Sequence, residues 1–96
     1  MGRYHEMNVT INCGYITDEE SLHKIFAKSL QLPAYYGKNL DALYDCLTTM
    51  PAPSTITLYN VQSMLDNLGG YGRAAICLIE RAERENPGRL TVNVLS

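Results

Sequence analysis

The alternation of apolar and polar positions predicts three strands and four helices. Segments with an apolar or β-branched residue at every second position indicate strands over residues 7–13, 54–59 and 90–95. Segments with apolar residues every three or four positions indicate helices over residues 18–30, 40–49, 61–68 and 71–85. The element order is therefore βααβααβ. Because helices that connect successive strands favour parallel pairing, the sequence predicts an α/β fold with a three-stranded parallel sheet.

Capping residues and prolines place the ends of the first two helices. Thr17 is followed three positions later by Glu20, the spacing of a capping box, so the first helix is expected to start at Asp18. Pro33 cannot continue that helix, and Asn39 is a favourable N-cap for the next one. The second helix is therefore expected directly after Asn39.

Length and composition indicate one domain. A chain of 96 residues, 46% of them hydrophobic, has enough apolar surface for one core and is too short for two. Residues 7–96 are expected to form this domain. Residues 1–6 are polar and lack a period, and they are expected to be an N-terminal extension or a cloning remnant.

The net charge, the length of the apolar runs and the cysteine spacing argue against several classes of function. The net charge of -2 gives no general attraction to a phosphate backbone, so direct nucleic-acid binding is not expected. No apolar run approaches the ~20 residues that span a bilayer, so no membrane association is expected. Cys13, Cys46 and Cys77 are odd in number and widely spaced, which fits neither a disulfide framework nor a zinc site. Three buried thiols in a reducing compartment are expected, which indicates a cytoplasmic protein without a cofactor or metal.

The second helix has two faces of different character. At 100° per residue, its apolar side chains fall on one face: Leu40, Ala42, Leu43, Cys46, Leu47 and Met50. The opposite face carries a row that we call the acidic stripe: Asp41, Tyr44, Asp45 and Thr48. The preceding loop adds Tyr35 and Asn39 beside it. One face is expected in the core and the other at the surface.

The acidic stripe has two interpretations, a solvated helix face or a binding surface. A solvated face is the common case for charged helix positions. However, no lysine or arginine within the helix lies three or four residues from Asp41 or Asp45, so neither acid is neutralised along the helix. Tyrosine beside the acids is a combination enriched at binding surfaces. A basic partner would fit this surface.

Catalysis is the less favoured hypothesis. A convex helix face offers no enclosure that would raise the pKa of one of two paired carboxyl groups. The sequence contains no glycine-rich phosphate loop, and no serine or cysteine stands at a motif spacing from a histidine. His23 lies off the apolar row of the first helix and is expected to have a surface or packing role.

The segment LPAYYGKNLDALYDCLT, residues 32–48, closely resembles the loop and helix of the barstar family, intracellular inhibitors of a secreted bacterial ribonuclease. The family is similar in element order, and its chains likewise end in an apolar strand finishing Leu-Ser, as Leu95 and Ser96 do here. The resemblance implies a non-catalytic inhibitor whose helix and loop block the active site of a guanyl-specific, barnase-like ribonuclease. It also implies a monomer that forms a one-to-one complex.

The resemblance also implies roles for individual residues. It places Asp45 among the cationic residues that hold the RNA phosphate, with Asp41 as a neighbouring acidic contact. Tyr35 supplies an aromatic contact, and Tyr44 takes the place of an exposed tryptophan. Asn39 and Thr48 are implied as flanking polar contacts.

The sequence also departs from the family pattern. Arg81 stands where the family has a second acidic contact on its last helix, unless Glu80 or Glu83 substitutes for that acid. Two acids near the loop are replaced by Ala34 and Lys38, so the surface is less negative. These departures indicate a different target ribonuclease or a low affinity for the familiar one. The alternative hypothesis is a general protein-interaction module or an immunity module against a toxin that is not a ribonuclease.

Overall fold

The computed structural model describes residues 7–96, and the expectation for residues 1–6 lies outside this range. It confirms the predicted α/β fold and the βααβααβ order. The strands are β1 (Met7–Asn12), β2 (Ser54–Tyr59) and β3 (Leu90–Val94). The helices are α1 (Glu19–Ser29), α2 (Leu40–Thr48), α3 (Val61–Leu68) and α4 (Gly70–Arg84). A short 3-10 turn, Cys13–Tyr15, follows β1.

The three strands form a parallel sheet in the order β1-β2-β3. Val9, Ile56 and Val92 are aligned across it. Burial alternates along each strand, so the helices cover one face, while Thr10 and Asn93 face solvent on the other. Since one face of this parallel sheet is open, its strands alternate apolar and polar residues instead of being apolar throughout.

The core lies between the covered face of the sheet and the helices. Each helix contributes fully buried side chains to it, among them Phe26, Leu43, Leu47, Met64 and Ile79. Burial of this kind is the main source of folding free energy, at about 25 cal/mol per Å² of apolar surface. The apolar face of α2 is therefore fixed in the core, as its periodicity predicts.

The first helix is capped by a different pair of residues from the one expected. A carboxylate oxygen of Asp18 accepts a hydrogen bond from the Ser21 backbone N–H at 2.7 Å, and the Ser21 hydroxyl oxygen accepts one from the Asp18 N–H at 3.0 Å. Hydrogen bonding by the Ser21 backbone N–H, and then by the Ser21 side chain, lowers the pKa of the Asp18 carboxyl group. Asp18 is thus the N-cap rather than the first helical residue, and the prediction of a Thr17–Glu20 capping box is wrong.

The expectation of three buried thiols is wrong for two of the cysteines. Only Cys13 is fully buried, and burial raises its thiol pKa to about 11. Cys46 is half-buried on α2, and Cys77 is exposed on α4. In residues 7–96, no helix is long and apolar enough to cross a membrane.

Candidate partner-binding surface

Capping and core packing together fix the orientation of the acidic stripe. The Asn39 side-chain oxygen accepts a hydrogen bond from the Ala42 backbone N–H at 2.7 Å, which starts α2 at Leu40. Leu43 and Leu47 anchor the opposite face in the core. The sequence therefore predicts the N-cap of α2 correctly, and the exposed Asn39 side chain uses its oxygen to cap the helix.

Both carboxylates of the acidic stripe point to solvent. Asp41 and Asp45 are exposed, and within residues 7–96 neither forms a salt bridge. The Asp45 backbone carbonyl accepts hydrogen bonds from the hydroxyls of Thr48 and Thr49, each at 3.0 Å. The Thr48 hydroxyl is therefore used by its own helix, while the Asp45 carboxylate is left to solvent.

Two consecutive tyrosines point to opposite sides of the loop formed by residues 31–39. Tyr35 is 88% exposed on the side of the acidic stripe, whereas Tyr36 is 7% exposed and packs in the core. Two non-glycine residues near the ends of this loop, Gln31 and Lys38, have left-handed backbone φ values of 56° and 57°. Such conformations cost energy and require a surrounding structure that enforces them.

A buried hydrogen-bond network holds the loop. The Tyr36 hydroxyl lies 2.6 Å from Nδ1 of His23 on α1, and the Tyr71 hydroxyl on α4 lies 2.7 Å from Nε2 of the same ring. Burial lowers the pKa of His23 and raises that of Tyr36 to about 12, so the network is uncharged near neutral pH. His23 therefore has a packing role and is not at the surface.

Tyr44 is half-buried against α4. Its hydroxyl donates a hydrogen bond to a carboxylate oxygen of Glu85, and the guanidinium carbon of Arg81 lies 4.8 Å from its ring centroid. A guanidinium at this distance over an aromatic ring is in the range of a cation–π interaction. Sequence reasoning missed this contact because it joins two helices. The only sequence signal related to this contact is the i, i+4 spacing of Arg81 and Glu85, which places both side chains on one side of the C-terminal end of α4.

A groove of about 390 Å³ runs between the loop and the C-terminal end of α2. Tyr35 lines one side, and Asp45, Thr49 and Met50 line the other. Burial, followed by the negative charge of Asp45, raises the pKa of the neighbouring Cys46 thiol, which keeps that thiol neutral. The groove can therefore receive a cationic side chain that binds the Asp45 carboxylate.

A larger groove of about 580 Å³ lies on the opposite side of the loop, between α1 and Pro33. Its walls include Ala27 and Leu32, and its rim mixes acids with lysines such as Lys24. It contains none of the residues of the acidic stripe. In the part of the chain that the structure describes, no group of three or more His, Cys, Asp or Glu side chains could hold a metal ion.

Comparison with known proteins identifies the family. The sequence profile of the family described as barstar (barnase inhibitor) matches residues 6–94. The chain belongs to the barstar family. It is also 40% identical, over 67 residues, to the Bacillus subtilis (strain 168) protein YrdF, which is described provisionally as a ribonuclease inhibitor. The match covers 69% of this chain and 74% of YrdF.

Membership of the barstar family agrees with the resemblance of residues 32–48 and makes the protein an inhibitor rather than an enzyme. The structure also places the acids considered for the last helix. Glu83 accepts a hydrogen bond from the Val92 backbone N–H at 2.9 Å and so faces β3, and Glu80 is half-buried. The carboxylate that contacts the acidic stripe is therefore that of Glu85, the C-cap residue of α4, through Tyr44.

Proposed function

We propose that the protein inhibits a secreted, guanyl-specific, barnase-like ribonuclease by covering its basic active-site cleft with the acidic stripe and the adjacent loop. The observation that carries this proposal is the exposure of Asp41 and Asp45, neither of which forms a salt bridge within residues 7–96, on a helix whose other face is anchored in the core. The family to which the chain belongs supports it.

The inhibitory chemistry is mimicry of a phosphate group. A carboxylate accepts hydrogen bonds from arginine in the bidentate geometry that also suits phosphate. Asp45 lies beside the groove and would enter the cationic centre of the cleft, with Asp41 one turn away on the same face. A carboxylate contains no phosphodiester bond, so the ribonuclease binds it without cleaving it.

Rigidity of the surface supports tight binding. The Asn39 cap fixes the start of α2, and the hydrogen bond between Tyr36 and His23 fixes the loop that carries Tyr35. Groups that are already ordered lose less conformational entropy on binding. The exposed ring of Tyr35 then offers a large contact area at little entropic cost.

The inhibitor is proposed to protect the cell that produces the ribonuclease. The protein acts in the cytoplasm as a monomer and forms a one-to-one complex with the ribonuclease before the enzyme is secreted. Its net charge of -2 favours encounter with a basic protein and disfavours direct contact with RNA. No cofactor takes part in this mechanism.

Titration of ribonuclease activity tests the proposal. Small basic guanyl-specific ribonucleases are each held at a fixed concentration with an RNA substrate, and the purified protein is added stepwise. We expect the activity of at least one enzyme to fall linearly and to reach zero at an equimolar amount of inhibitor. Full activity of every enzyme at excess inhibitor would contradict the proposal.

The alternative is an immunity module against a toxin that is not a ribonuclease. The presence of Arg81 beside Tyr44 favours it, because a cation at this surface suits a less uniformly basic target. An experiment that distinguishes the two hypotheses is capture of the partner from the native strain. The protein and its Asp45→Ala variant serve as paired baits. A partner that binds only the unmodified bait and has no ribonuclease activity would support the alternative.

A further inference from the structure

We infer that the partner presents a carboxylate to Arg81 at the rim of its basic cleft, so that Arg81 determines which ribonucleases the protein accepts. This inference rests on the proposed function and adds a specific requirement to it. The partner surface must be positive where it meets Asp41 and Asp45 and negative where it meets Arg81.

Geometry makes Arg81 part of any interface that covers the acidic stripe. Tyr44 belongs to the acidic stripe and lies next to Asp41 and Asp45 on the side of α2 that faces α4, and the Arg81 guanidinium carbon lies 4.8 Å from the centroid of its ring. A partner that covers the whole acidic stripe also covers the exposed part of Tyr44. It therefore meets the guanidinium as well.

The charge of Arg81 is available to a partner. The side chain is exposed, and it forms no salt bridge with any residue in the range 7–96. Glu83 is engaged with the Val92 backbone N–H, and Glu85 accepts a hydrogen bond from the Tyr44 hydroxyl. The tyrosine ring orients the guanidinium but does not cancel its charge.

The energetics then select the partner. A uniformly basic rim placed over Arg81 brings like charges together in a region losing its water, which is unfavourable. A carboxylate at the same place accepts hydrogen bonds from the planar guanidinium and satisfies it. Arg81 thus increases the affinity for a partner with a carboxylate at this position and decreases the affinity for a partner with a basic rim there. Specific interfaces commonly combine attraction of one partner with repulsion of others.

Charge reversal at Arg81 tests the inference against the ribonuclease that the unmodified protein inhibits most tightly. We expect Arg81→Glu to weaken binding by at least about tenfold. The matched control is Arg89→Glu, which changes the net charge equally at an exposed position between α4 and β3. We expect the control to bind equally well or more tightly, because added negative charge attracts a basic partner.

A second variant separates partner contact from loss of the Tyr44 packing. Arg81→Gln removes the charge and the cation–π contact without introducing repulsion, so we expect a smaller loss than for Arg81→Glu. Changing the facing acid of the ribonuclease to arginine should restore binding of Arg81→Glu. Equal losses for the two Arg81 variants, without such restoration, would show a packing role and overturn the inference.

The result also distinguishes the inference from the proposed function. If the unmodified protein inhibits a ribonuclease and Arg81→Glu binds it equally or more tightly, the inference is wrong while the proposed function stands. If the unmodified protein inhibits no ribonuclease of the panel, both are wrong.

Discussion

The hydroxyl of Tyr36 lies 2.6 Å from Nδ1 of His23, although the two residues belong to different elements of the fold. This contact ties the 31–39 loop to α1. Because Tyr71 holds the other nitrogen of the same ring, the histidine connects the loop with α4 as well. The position of Tyr35, and with it one side of the proposed binding surface, thus depends on a buried residue outside that surface.

The buried histidine predicts a pH-dependent stability. Burial lowers the pKa of His23 in the folded protein below its usual value near 6.5, although the charge of Glu19 opposes this effect. Unfolding therefore takes up a proton below about pH 6.5, and the free energy of unfolding falls as the pH decreases through the folded-state pKa. Urea unfolding at about pH 7.5 and about pH 5.5 measures the difference.

The His23→Gln variant is the control for this pH dependence. Its amide can hydrogen-bond a tyrosine hydroxyl but cannot titrate, so we expect a smaller loss of stability between the two pH values. The lowered pKa of Asp18 acts only at lower pH, where the Asp18 carboxylate becomes protonated and loses its cap contribution. An equal pH dependence in both proteins would assign the effect to another group.

Truncation of Asp45 should cost more binding free energy than truncation of an acid outside the acidic stripe. We expect Asp45→Ala to weaken binding to an inhibited ribonuclease by about 2–5 kcal/mol, because it leaves buried cations of the partner unpaired. Asp66→Ala is the matched control, since Asp66 is an exposed acid on α3 that accepts a hydrogen bond from Gln62. Equal losses, measured by calorimetry, would refute the proposed surface.

Salt should slow association more than it speeds dissociation. The encounter of an acidic helix face with a basic cleft is driven by long-range attraction, which is screened beyond about 8 Å at physiological ionic strength. Stopped-flow association rates between about 50 mM and about 500 mM NaCl should fall steeply with rising salt. The Asp41→Asn variant should show a shallower dependence, and an unchanged slope would place Asp41 outside the electrostatic interface.

The Asn39 cap predicts an effect on stability separate from any effect on binding. Loss of the hydrogen bond to the Ala42 N–H in Asn39→Ala should lower the free energy of unfolding by about 0.5–2 kcal/mol. Asn39→Asp preserves a capping oxygen and should remain close to the unmodified protein. Denaturant unfolding of the three proteins measures these free energies. An Asn39→Ala variant with the same free energy of unfolding as the unmodified protein would mean that core packing alone fixes the N-terminus of α2.

Local sequence patterns predicted the elements well where several signals agree. The start of α2 follows from Asn39 together with the apolar period, and β2 occupies the predicted residues 54–59 between prolines and α3. The N-terminus of α1 was less well defined because two possible capping pairs are offset by one residue. The Ser21 hydroxyl and the Asp18 carboxylate, rather than Thr17 and Glu20, form the reciprocal hydrogen bonds.

Contacts between distant segments could not be predicted in this way. His23 finds its partners 13 and 48 residues away, so its spacing on α1 gives no indication of them. The contact between Tyr44 and Arg81 likewise joins α2 to α4, whereas i, i+3 and i, i+4 spacings indicate only the cations of the same helix. The exposure of the stripe acids was predictable, but their neighbours depend on how the helices pack.

The opposite orientations of Tyr35 and Tyr36 constrain how the protein can evolve. Because adjacent positions serve the outside and the inside of the molecule, inserting or deleting a residue beside them would disturb both the exposed Tyr35 ring and the contact of Tyr36 with His23. Loop length should thus be invariant among relatives, while the side chain at position 35 is free to change. New targets can then be acquired by single replacements there without any loss of foldability.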